Sequence, residues 1–391
     1  LLTLDVTGAT RGERLLAVSI QGLVNRAQPR VYLFFDRYDH EWLDWLRANG
    51  MTGEPEALTG LDQLVGRFRG ELQGAVVTDE RWTNIACMVA GVQTLAILTP
   101  ELVGKYDLPV VTDLRQRGWQ RDLDGYTWAK AELWPQMSRR VLGHLSPHAS
   151  DLQRDFLIAQ KAFSFWMPGA NDGGEADPLE HLLFARQLLA ETPPLVPVCG
   201  WWGWGDPPEG IGEYWGMSLA SRYGKLTPGT EFASNLSVLS AIRVPKQLLE
   251  RRVPRRACPE LRPDRAYVAL DVLDSGDAVW YSQRRQRDVW ADKARGTVPV
   301  GWSMTPSLLD FAPAVAAYYQ QQASDHDELM AAASGLMYCS LREYGTAFAD
   351  AAAVRRQYLD LTWRYMQRLG MTTMIGYVDH WGAPTDFGDG G

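Results

Sequence analysis

Three aspartates that surround one glycine are the residues best suited to chemistry. Asp271, Asp274 and Asp277 stand close together in the chain. They follow an apolar run, Ala266 to Leu270, whose length and composition predict a buried strand. The Asp-Ser-Gly-Asp segment predicts a turn, because Asp and Gly supply turn hydrogen bonds and unusual backbone angles. Since open α/β sheets and barrels carry catalytic groups at the carboxyl ends of strands, the aspartates are candidates for a reactive site. A solvated turn with three surface acids explains the same residues.

Two further acids follow later predicted strands. Glu343 comes after one of them and Asp379 ends another. Hydrolysis of a glycosidic bond needs one protonated carboxyl group, which releases the leaving oxygen, and one carboxylate that acts as nucleophile or base. We therefore expect Asp277 to pair with Asp379 or Glu343, and Asp274 is a further candidate acid beside Asp277.

A metal site is a second chemistry open to the same region. Asp277 and His380 could hold a divalent cation that activates water, as in carbohydrate deacetylases. The sequence has six histidines, no HxH spacing and one HxxxH pair, His144 and His148, which is interrupted by a proline, so we expect catalysis without a metal cofactor. His144 and His148 are not expected to act as a pair, because Pro147 breaks the helical spacing that would align them. We predict that both lie in a loop or on the surface.

Tryptophan is unusually frequent, with 16 in 391 residues. Trp201 and Trp202 stand in a Gly-rich loop, and Trp302, Tyr338 and Trp381 stand at or near the ends of predicted strands. Flat rings with one polar group suit stacking against the apolar C–H faces of sugars. The sequence therefore predicts a carbohydrate-binding platform, although tryptophan also fills large cores.

Composition and charge exclude several classes of protein. The formal net charge is −8 at pH 7, so no basic surface is available for nucleic acid. No apolar run approaches the roughly 18 residues that a membrane-spanning helix needs. The four cysteines contain no CxxC pair, and no Gly-rich nucleotide signature is present. The chain begins at Leu1 and not at Met, as it would if a signal peptide had been removed or left out, and we predict a secreted or periplasmic protein.

The order of predicted elements favours an α/β fold. Strands and helices alternate in residues 1–122, which predicts a Rossmann-like α/β domain with parallel strands. Residues 123–194 are expected to be mainly helical. In residues 195–391 the alternation returns, and the predicted strands, among them Ser334 to Ser340 and Met371 to Asp379, end in polar or aromatic residues. That pattern predicts a (β/α) barrel-like domain, closed or incomplete, with a site at its mouth.

Short segments along most of the chain resemble the GxGYxYP family, bacterial proteins described as glycoside hydrolases. The similar segments are Ile20–Asn25, Pro29–Tyr32, Ala86–Leu95, Asn235–Ser237 and Gly301–Pro306. The resemblance implies a hydrolase that acts on a poly- or oligosaccharide by carboxylate acid/base catalysis. With it, the candidate substrate-binding residues are Asp271, Trp201, Trp202, Trp302, Tyr338, His380, Trp381 and Asn235.

The family's name motif is incomplete in this chain. Its first Gly and first Tyr are kept, whereas Met337, Ser340 and Leu341 stand at later positions of the motif. The family's Asp-Gly-Asp-Asn turn corresponds to Ser275 to Ala278, where one acid and the Asn are missing. These departures leave two alternatives to a glycosidase open: a non-catalytic glycan-binding protein and a metal-dependent carbohydrate deacetylase.

Overall fold

The protein combines small parallel sheets with many short helices. A computed structural model describes residues 1–167, 178–203, 212–250, 260–273 and 276–376. Within these residues twelve strands form four three-stranded sheets, and every strand pair in them is parallel. The predicted α/β class is therefore confirmed.

Strands and helices alternate along most of the described chain. The strands are β1 (Leu2–Asp5), β2 (Val31–Phe34), β3 (Glu56–Ala57), β4 (Ala75–Val77), β5 (Ala96–Leu98), β6 (Val110–Asp113), β7 (Leu142–His144), β8 (Phe163–Phe165), β9 (Val198–Gly200), β10 (Asp271–Val272), β11 (Val300–Met304) and β12 (Asp327–Ala331). The helices are α1 (Arg11–Val24), α2 (Arg37–Ala48), α3 (Leu61–Phe68), α4 (Thr83–Gln93), α5 (Asp122–Glu132), α6 (Arg154–Ala159), α7 (Pro178–Ala190), α8 (Glu213–Arg222), α9 (Leu236–Leu239), α10 (Lys246–Leu249), α11 (Val279–Gln283), α12 (Arg285–Trp290), α13 (Leu308–Phe311), α14 (Pro313–Gln322) and α15 (Ala351–Arg368).

The first three sheets share one topology. In each of them the strand that comes first in the chain lies at the centre, which gives the orders β2-β1-β3, β5-β4-β6 and β8-β7-β9. The fourth sheet has the order β10-β11-β12. Because parallel strands need crossover connections, the helices cover the sheet faces and the carboxyl ends of each sheet's strands lie along one edge.

Helix α1 shows how local sequence begins an element and packs it. The Thr10 hydroxyl accepts a hydrogen bond from the Glu13 backbone, and the Glu13 side chain accepts one from the Thr10 backbone. This capping box satisfies N–H groups that lack partners inside the helix. At Gly22 the neighbouring helix α6 comes so close that a Cβ atom would collide with the carbonyl of Asp155. The two helices therefore pack with their backbones nearly in contact.

A buried polar network joins the segments that resemble the GxGYxYP family. Gln21 Nε2 donates to Asn235 Oδ1 at 2.7 Å, and Asn25 Nδ2 donates to Ser237 Oγ at 2.9 Å. Asn235 also exchanges hydrogen bonds of 2.8 and 2.9 Å with the backbone of Leu33. Buried amides require such partners. The expectation that Asn235 contacts substrate is corrected, because its polar groups are used inside the core.

The strands and helices of the N-terminal region agree well with those predicted from the sequence, whereas the middle of the chain contains strands that were not predicted. Strands β1, β2, β4 and β5 and helices α1, α2 and α4 occupy the predicted segments. Residues 123–194, expected to be mainly helical, also contain β7 and β8. Strands of three buried residues are too short to be told from helix by periodicity, so the sequence did not reveal these two. In the described part of the chain, none of the helices is both long and apolar enough to cross a membrane.

The segment Ala266 to Leu270 is not the buried strand that its composition predicts. Val268 is 83% exposed, and only Asp271 and Val272 pair with β11. β10 is thus a two-residue strand at the edge of its sheet. Ala266 to Leu270 precede β10 and belong to none of the described strands, so no sheet face buries their side chains.

The last predicted strands are also corrected. The strand that follows β11 is β12, whereas Ser334 to Ser340, predicted to be a strand, form a loop after β12. Met374 makes an isolated parallel bridge with Ala331, and residues beyond 376 lie outside the described part. In the described residues β10, β11 and β12 form an open sheet, so the predicted barrel is not shown.

Candidate active site

A large cleft lies at the carboxyl ends of strands from the third and fourth sheets. Its volume is about 950 Å³. Residues that follow β7, β8, β9 and β10 line it, which is the position where open α/β sheets bind ligands. Its aromatic and acidic lining residues are Trp166, Trp201, Trp202, Glu213, Tyr214, Glu231, Phe232, Asp277, Trp280 and Tyr338.

Backbone hydrogen bonds hold the loop that carries Glu231. The N–H groups of Val279 and Trp280 donate to the carbonyl oxygens of Pro228 and Gly229, at 3.0 and 3.2 Å. These bonds attach the loop to the first turn of α11. Glu231 is therefore held beside the turn from which α11 begins.

Close packing fixes the same loop on its other side. A Cβ atom at Gly229 would collide with Ala278, and the backbone there has a φ of +53°, so glycine is required on both counts. The Thr230 hydroxyl accepts a 2.7 Å hydrogen bond from the Gly200 N–H at the end of β9. The loop is thus fixed between β9 and α11, which limits the positions that its carboxyl group can take.

The carboxyl group of Glu231 is poorly solvated. The side chain is half-buried and faces the cleft, but Oε2 is closed off from solvent and has no hydrogen-bond partner among the described residues. Burial raises the pKa of Glu231 to about 8; a hydrogen bond with the Trp280 side chain opposes the rise, and the charges of Asp277 and Glu213 add to it. At neutral pH Glu231 therefore keeps its proton, as a general acid must.

A raised pKa alone does not mark a catalytic group, as Asp39 demonstrates. Burial raises the pKa of Asp39 to about 7, although hydrogen bonds from Ser234, Phe35 and Asn235 oppose the rise. Asp39 lies in the core and does not line the cleft. Glu231 differs because its carboxyl group adjoins open space large enough for a ligand.

Asp277 is the second carboxyl group of the cleft and is 8% exposed. It comes directly before the start of α11, and a Cβ atom on its neighbour Gly276 would collide with Ser303 of β11. The turn can therefore approach the sheet only with glycine at that place. Since the charge of Asp277 contributes to the raised pKa of Glu231, the two carboxyl groups act on each other across the cleft.

Glu213, the first residue of α8, holds a pair of aromatic rings. Trp201 Nε1 donates to its Oε2 at 3.4 Å, and the Tyr338 hydroxyl donates to its Oε1 at 3.1 Å. The Trp201 and Tyr338 rings are stacked, with centroids 5.4 Å apart and planes 9° from parallel. The cleft therefore has a flat wall whose orientation is fixed by one carboxylate.

His144, at the end of β7, packs against two of the aromatic rings that line the cleft, Trp166 and Trp202. Its Nδ1–H donates to the carbonyl of Trp201 at 2.9 Å, and its Nε2 accepts from the N–H of Met167 at 3.1 Å. Burial lowers the pKa of His144 to about 3, so the ring is neutral. The predicted loop or surface position is wrong for His144, which is 1% exposed, whereas the side chain of His148 is 56% exposed as predicted.

Replacement of His144 by Ala is expected to destabilise the protein by about 3 kcal/mol, since it removes two hydrogen bonds and a buried ring. The folded pKa lies below the unfolded value of 6.5. The wild-type protein should therefore lose the contribution of His144 to the free energy of unfolding as pH falls below 6.5, and the variant should not. Urea unfolding across this pH range measures both effects. His148→Ala is the control, and equal stability of the two variants would contradict the role given to His144.

The structure brings four of the predicted site residues to the cleft and leaves others apart. Asp277, Trp201, Trp202 and Tyr338 line it. Trp202 is almost fully buried, so it forms part of the floor and not an open platform. The structure thus places Asp277 in the same cleft as three of the predicted aromatic residues.

Besides Asn235, three predicted site residues lie elsewhere. Trp302 is buried in the core, where its indole N–H donates to Asp327 Oδ1 at 2.8 Å. Glu343 accepts a hydrogen bond from the Ser218 hydroxyl and forms an ion pair with Arg222. Asp271 is exposed on β10 and does not line the cleft. These expectations are corrected, because Asp271 begins β10, Trp302 lies in the middle of β11 and Glu343 lies in a turn, so none of the three stands at the carboxyl end of a strand.

Four other predicted residues, Asp274, Asp379, His380 and Trp381, lie outside the described part of the chain. In the part that is described, no group of three or more His, Cys, Asp or Glu side chains is arranged to hold a metal ion. The alternative of a cation at Asp277 and His380 stays a prediction.

Two carboxyl groups that line the cleft beside Asp277, those of Glu231 and Glu213, were not predicted from the sequence. Glu231 follows Pro-Gly-Thr, a turn-forming segment, and Glu213 begins a helix. Neither residue belongs to a recognisable motif. The one available signal is the Pro228-Gly229 pair, which indicates a tight turn without indicating what the turn carries.

Profiles of four domains of one family match the chain. The matches are the GxGYxYP_N first domain at residues 1–70, the second domain at 72–137, the third domain at 139–241 and the "GxGYxYP putative glycoside hydrolase C-terminal domain" at 264–386. A crystal structure described as "a putative hydrolase" from Bacteroides thetaiotaomicron has a TM-score of 0.78 to this chain. The identity is 21%, over 95% of this chain and 69% of that one, a likeness that shows a shared fold. No curated protein matches.

Proposed function

Because the chain belongs to the GxGYxYP family, we propose that it is a glycoside hydrolase in which Glu231 is the general acid and Asp277 is the nucleophile or base. One observation carries the proposal. A carboxyl group that keeps its proton at neutral pH stands in a cleft with a second carboxyl group and aromatic walls. Glycosidic hydrolysis needs this combination of groups.

In the proposed reaction Glu231 gives its proton to the glycosidic oxygen as the bond from that oxygen to the anomeric carbon breaks. The carboxylate of Asp277 either bonds to the anomeric carbon or takes a proton from the water that attacks it. If Asp277 is the nucleophile, water then displaces it and gives a proton back to Glu231. If Asp277 is the base, it releases to solvent the proton taken from water, and Glu231 takes one up from solvent. A carboxyl separation of roughly 5 to 5.5 Å predicts retention of configuration, and one of roughly 6.5 to 9.5 Å predicts inversion.

The aromatic rings suit the binding of sugars. The stacked rings of Trp201 and Tyr338 form one wall, and Trp280 packs edge to face on Phe232 at another. Sugar C–H faces lie well on such rings while hydroxyl groups reach polar neighbours. Glu213 keeps the Trp201 ring in place and so prepares the wall before a ligand arrives.

Replacement of Trp201 by Ala is expected to raise KM for a glycan about tenfold, since the loss of one stacking surface costs about 1.4 kcal/mol of binding. The effect should fall on KM more than on kcat, because the ring does not take part in proton transfer. Trp363→Ala on α15 is the control, as Trp363 is 53% exposed and lies outside the cleft. Equal KM values for the two variants would remove Trp201 from the binding wall.

The departures from the family motif lie mostly outside the cleft. Met337 and Ser340 are buried and do not line it, whereas Tyr338 between them does. These substitutions in the name motif therefore affect packing behind the wall, whereas Ala278, which stands where the family has Asn, lines the cleft itself. The name motif alone thus gives no reason to favour a non-catalytic glycan-binding protein.

The test is incubation of the purified protein with a panel of neutral polysaccharides and oligosaccharides, with new reducing ends as the readout. We expect release from at least one glycan by the wild-type protein and not by Glu231→Gln. Binding without release would favour the non-catalytic alternative. Release that stops on chelation and returns with a divalent cation would favour the metal-dependent one. A secreted or periplasmic location stays a prediction that cell fractionation checks.

A further inference from the structure

A second cavity of about 450 Å³ adjoins the cleft. His148 and Ala149 line both spaces, so the two share a rim. Thr7 and Phe35, which follow β1 and β2, line the second cavity. The carboxyl ends of strands from the first, third and fourth sheets therefore border one continuous depression, the location expected for ligands of parallel sheets.

The polar surface of the second cavity is preformed. Asp151 is 4% exposed and pairs with Arg11 at 3.4 Å and with Arg14 at 3.1 Å. Arg11 also donates to the carbonyl oxygens of Pro147 and Ala149, at 2.5 and 3.4 Å. One guanidinium group thus connects the second cavity to the rim of the cleft. Groups that are already held in place lose little conformational entropy when a ligand binds.

The charges of the second cavity are balanced. Arg14 pairs with Asp151, and Arg11 pairs with both Asp151 and Glu80. Asp36 lies in an ion pair with Arg284, and the exposed His148 faces Glu80 at 3.4 Å. The guanidinium side chains remain 26% and 32% exposed, so they can still donate hydrogen bonds. A surface with matched charges, partly exposed donors and one aromatic ring suits a neutral ligand rich in hydroxyl groups.

We propose that the second cavity is a distal subsite, which binds a further unit of a neutral glycan whose reacting bond lies in the cleft. The inference rests on the proposed function, and it narrows the substrate to an oligo- or polysaccharide long enough to cross the rim at His148 and Ala149. Longer neutral chains should bind more tightly than short ones. Acidic glycans should gain nothing from the distal cavity, because its arginines already have carboxylate partners.

The test fills the distal cavity with a large side chain. Thr7 is exposed at that cavity, so Thr7→Trp should block it without disturbing the core. The probes are neutral oligosaccharides of glucose, xylose and mannose, from disaccharide to octasaccharide, titrated by calorimetry in the Glu231→Gln background so that they are not cleaved. We expect the affinity advantage of the longest over the shortest bound oligosaccharide to fall about tenfold, the loss of about 1.4 kcal/mol.

The control is Thr372→Trp, because Thr372 is exposed and lines neither cavity. If Thr7→Trp does not fold, Phe35→Ala provides the same comparison. An unchanged dependence on chain length, or no binding by any oligosaccharide, overturns the distal subsite. If the wild-type protein cleaves glycans but Thr7→Trp does not change the dependence of affinity on chain length, the proposed hydrolase function is retained and the distal subsite is rejected. Length-dependent binding that Thr7→Trp weakens, without cleavage by the wild-type protein, would support the subsite and overturn the hydrolase.

Discussion

Replacement of Glu231 by Gln is expected to lower kcat/KM on a natural glycan roughly 10²- to 10⁴-fold, the contribution typical of a positioned general acid. The amide fills the same space but cannot give a proton to the leaving oxygen. A glycoside with a nitrophenol leaving group should lose much less, because that group departs without protonation. Steady-state kinetics on both substrates measures the difference.

The same substitution should make the folded protein more stable. Burial holds the pKa of Glu231 near 8 in the folded state, above its ordinary value of 4.5. A group whose pKa is raised in the folded state contributes fully to the free energy of unfolding below pH 4.5. This contribution is lost as pH rises through 8. Glu231→Gln lacks this loss, so its advantage in the free energy of unfolding should be small at pH 4.5 and roughly 3 kcal/mol at pH 7.

Glu343→Gln is the matched control for both measurements. Glu343 is a glutamate that the sequence also nominated, yet it pairs with Ser218 and Arg222 outside the cleft. We expect this variant to keep its activity and to show no stabilisation that grows with pH. An active Glu231→Gln, or an inactive Glu343→Gln, would move the acid to another residue.

Replacement of Asp277 by Asn is expected to lower kcat roughly 10²- to 10⁴-fold on natural and nitrophenyl glycosides alike. Both substrates need the carboxylate, because it acts on the anomeric carbon or on the attacking water and not on the leaving group. In Asp277→Ala, added azide should restore part of the rate by taking the vacated place. The substrate dependence therefore separates the role of Asp277 from that of Glu231.

Asp271→Asn is the control for Asp277, since both belong to the same aspartate cluster in the sequence. Asp271 is exposed on β10 and outside the cleft, so its replacement should leave kcat unchanged. Removal of the Asp277 charge should also lower the pKa of Glu231, which is raised in part by that charge. An Asp277→Asn variant with full activity would exclude it as nucleophile or base.

Asp277 could be predicted from the sequence and Glu231 could not, for a physical reason. A carboxylate just after a strand has a place that the topology of parallel sheets determines. The role of Glu231 depends instead on its burial beside Trp280 and on the charges of Asp277 and Glu213, which come from distant segments. No local pattern contains that information.

Strand pairing limited the prediction of the fold in the same way. The apolar run before Asp271 was expected to be buried, but only Asp271 and Val272 join the sheet, and whether a segment joins a sheet depends on partners distant in the chain. The strand after β11 is β12 and not the later Ser334 to Ser340. Alternation of elements gave the α/β class, whereas the barrel-like arrangement and the division at residues 122 and 194 stay predictions.

The most direct test of the central claim is the pH dependence of kcat/KM on a natural glycan. The account predicts that activity falls with an apparent pKa near 8, as Glu231 loses its proton in the folded protein. This alkaline limb should be absent for the residual activity of Glu231→Gln on a nitrophenyl glycoside. An alkaline limb that persists in the variant would contradict Glu231 as the general acid. So would a wild-type activity that already falls as pH rises through 4.5, the ordinary pKa of a glutamate.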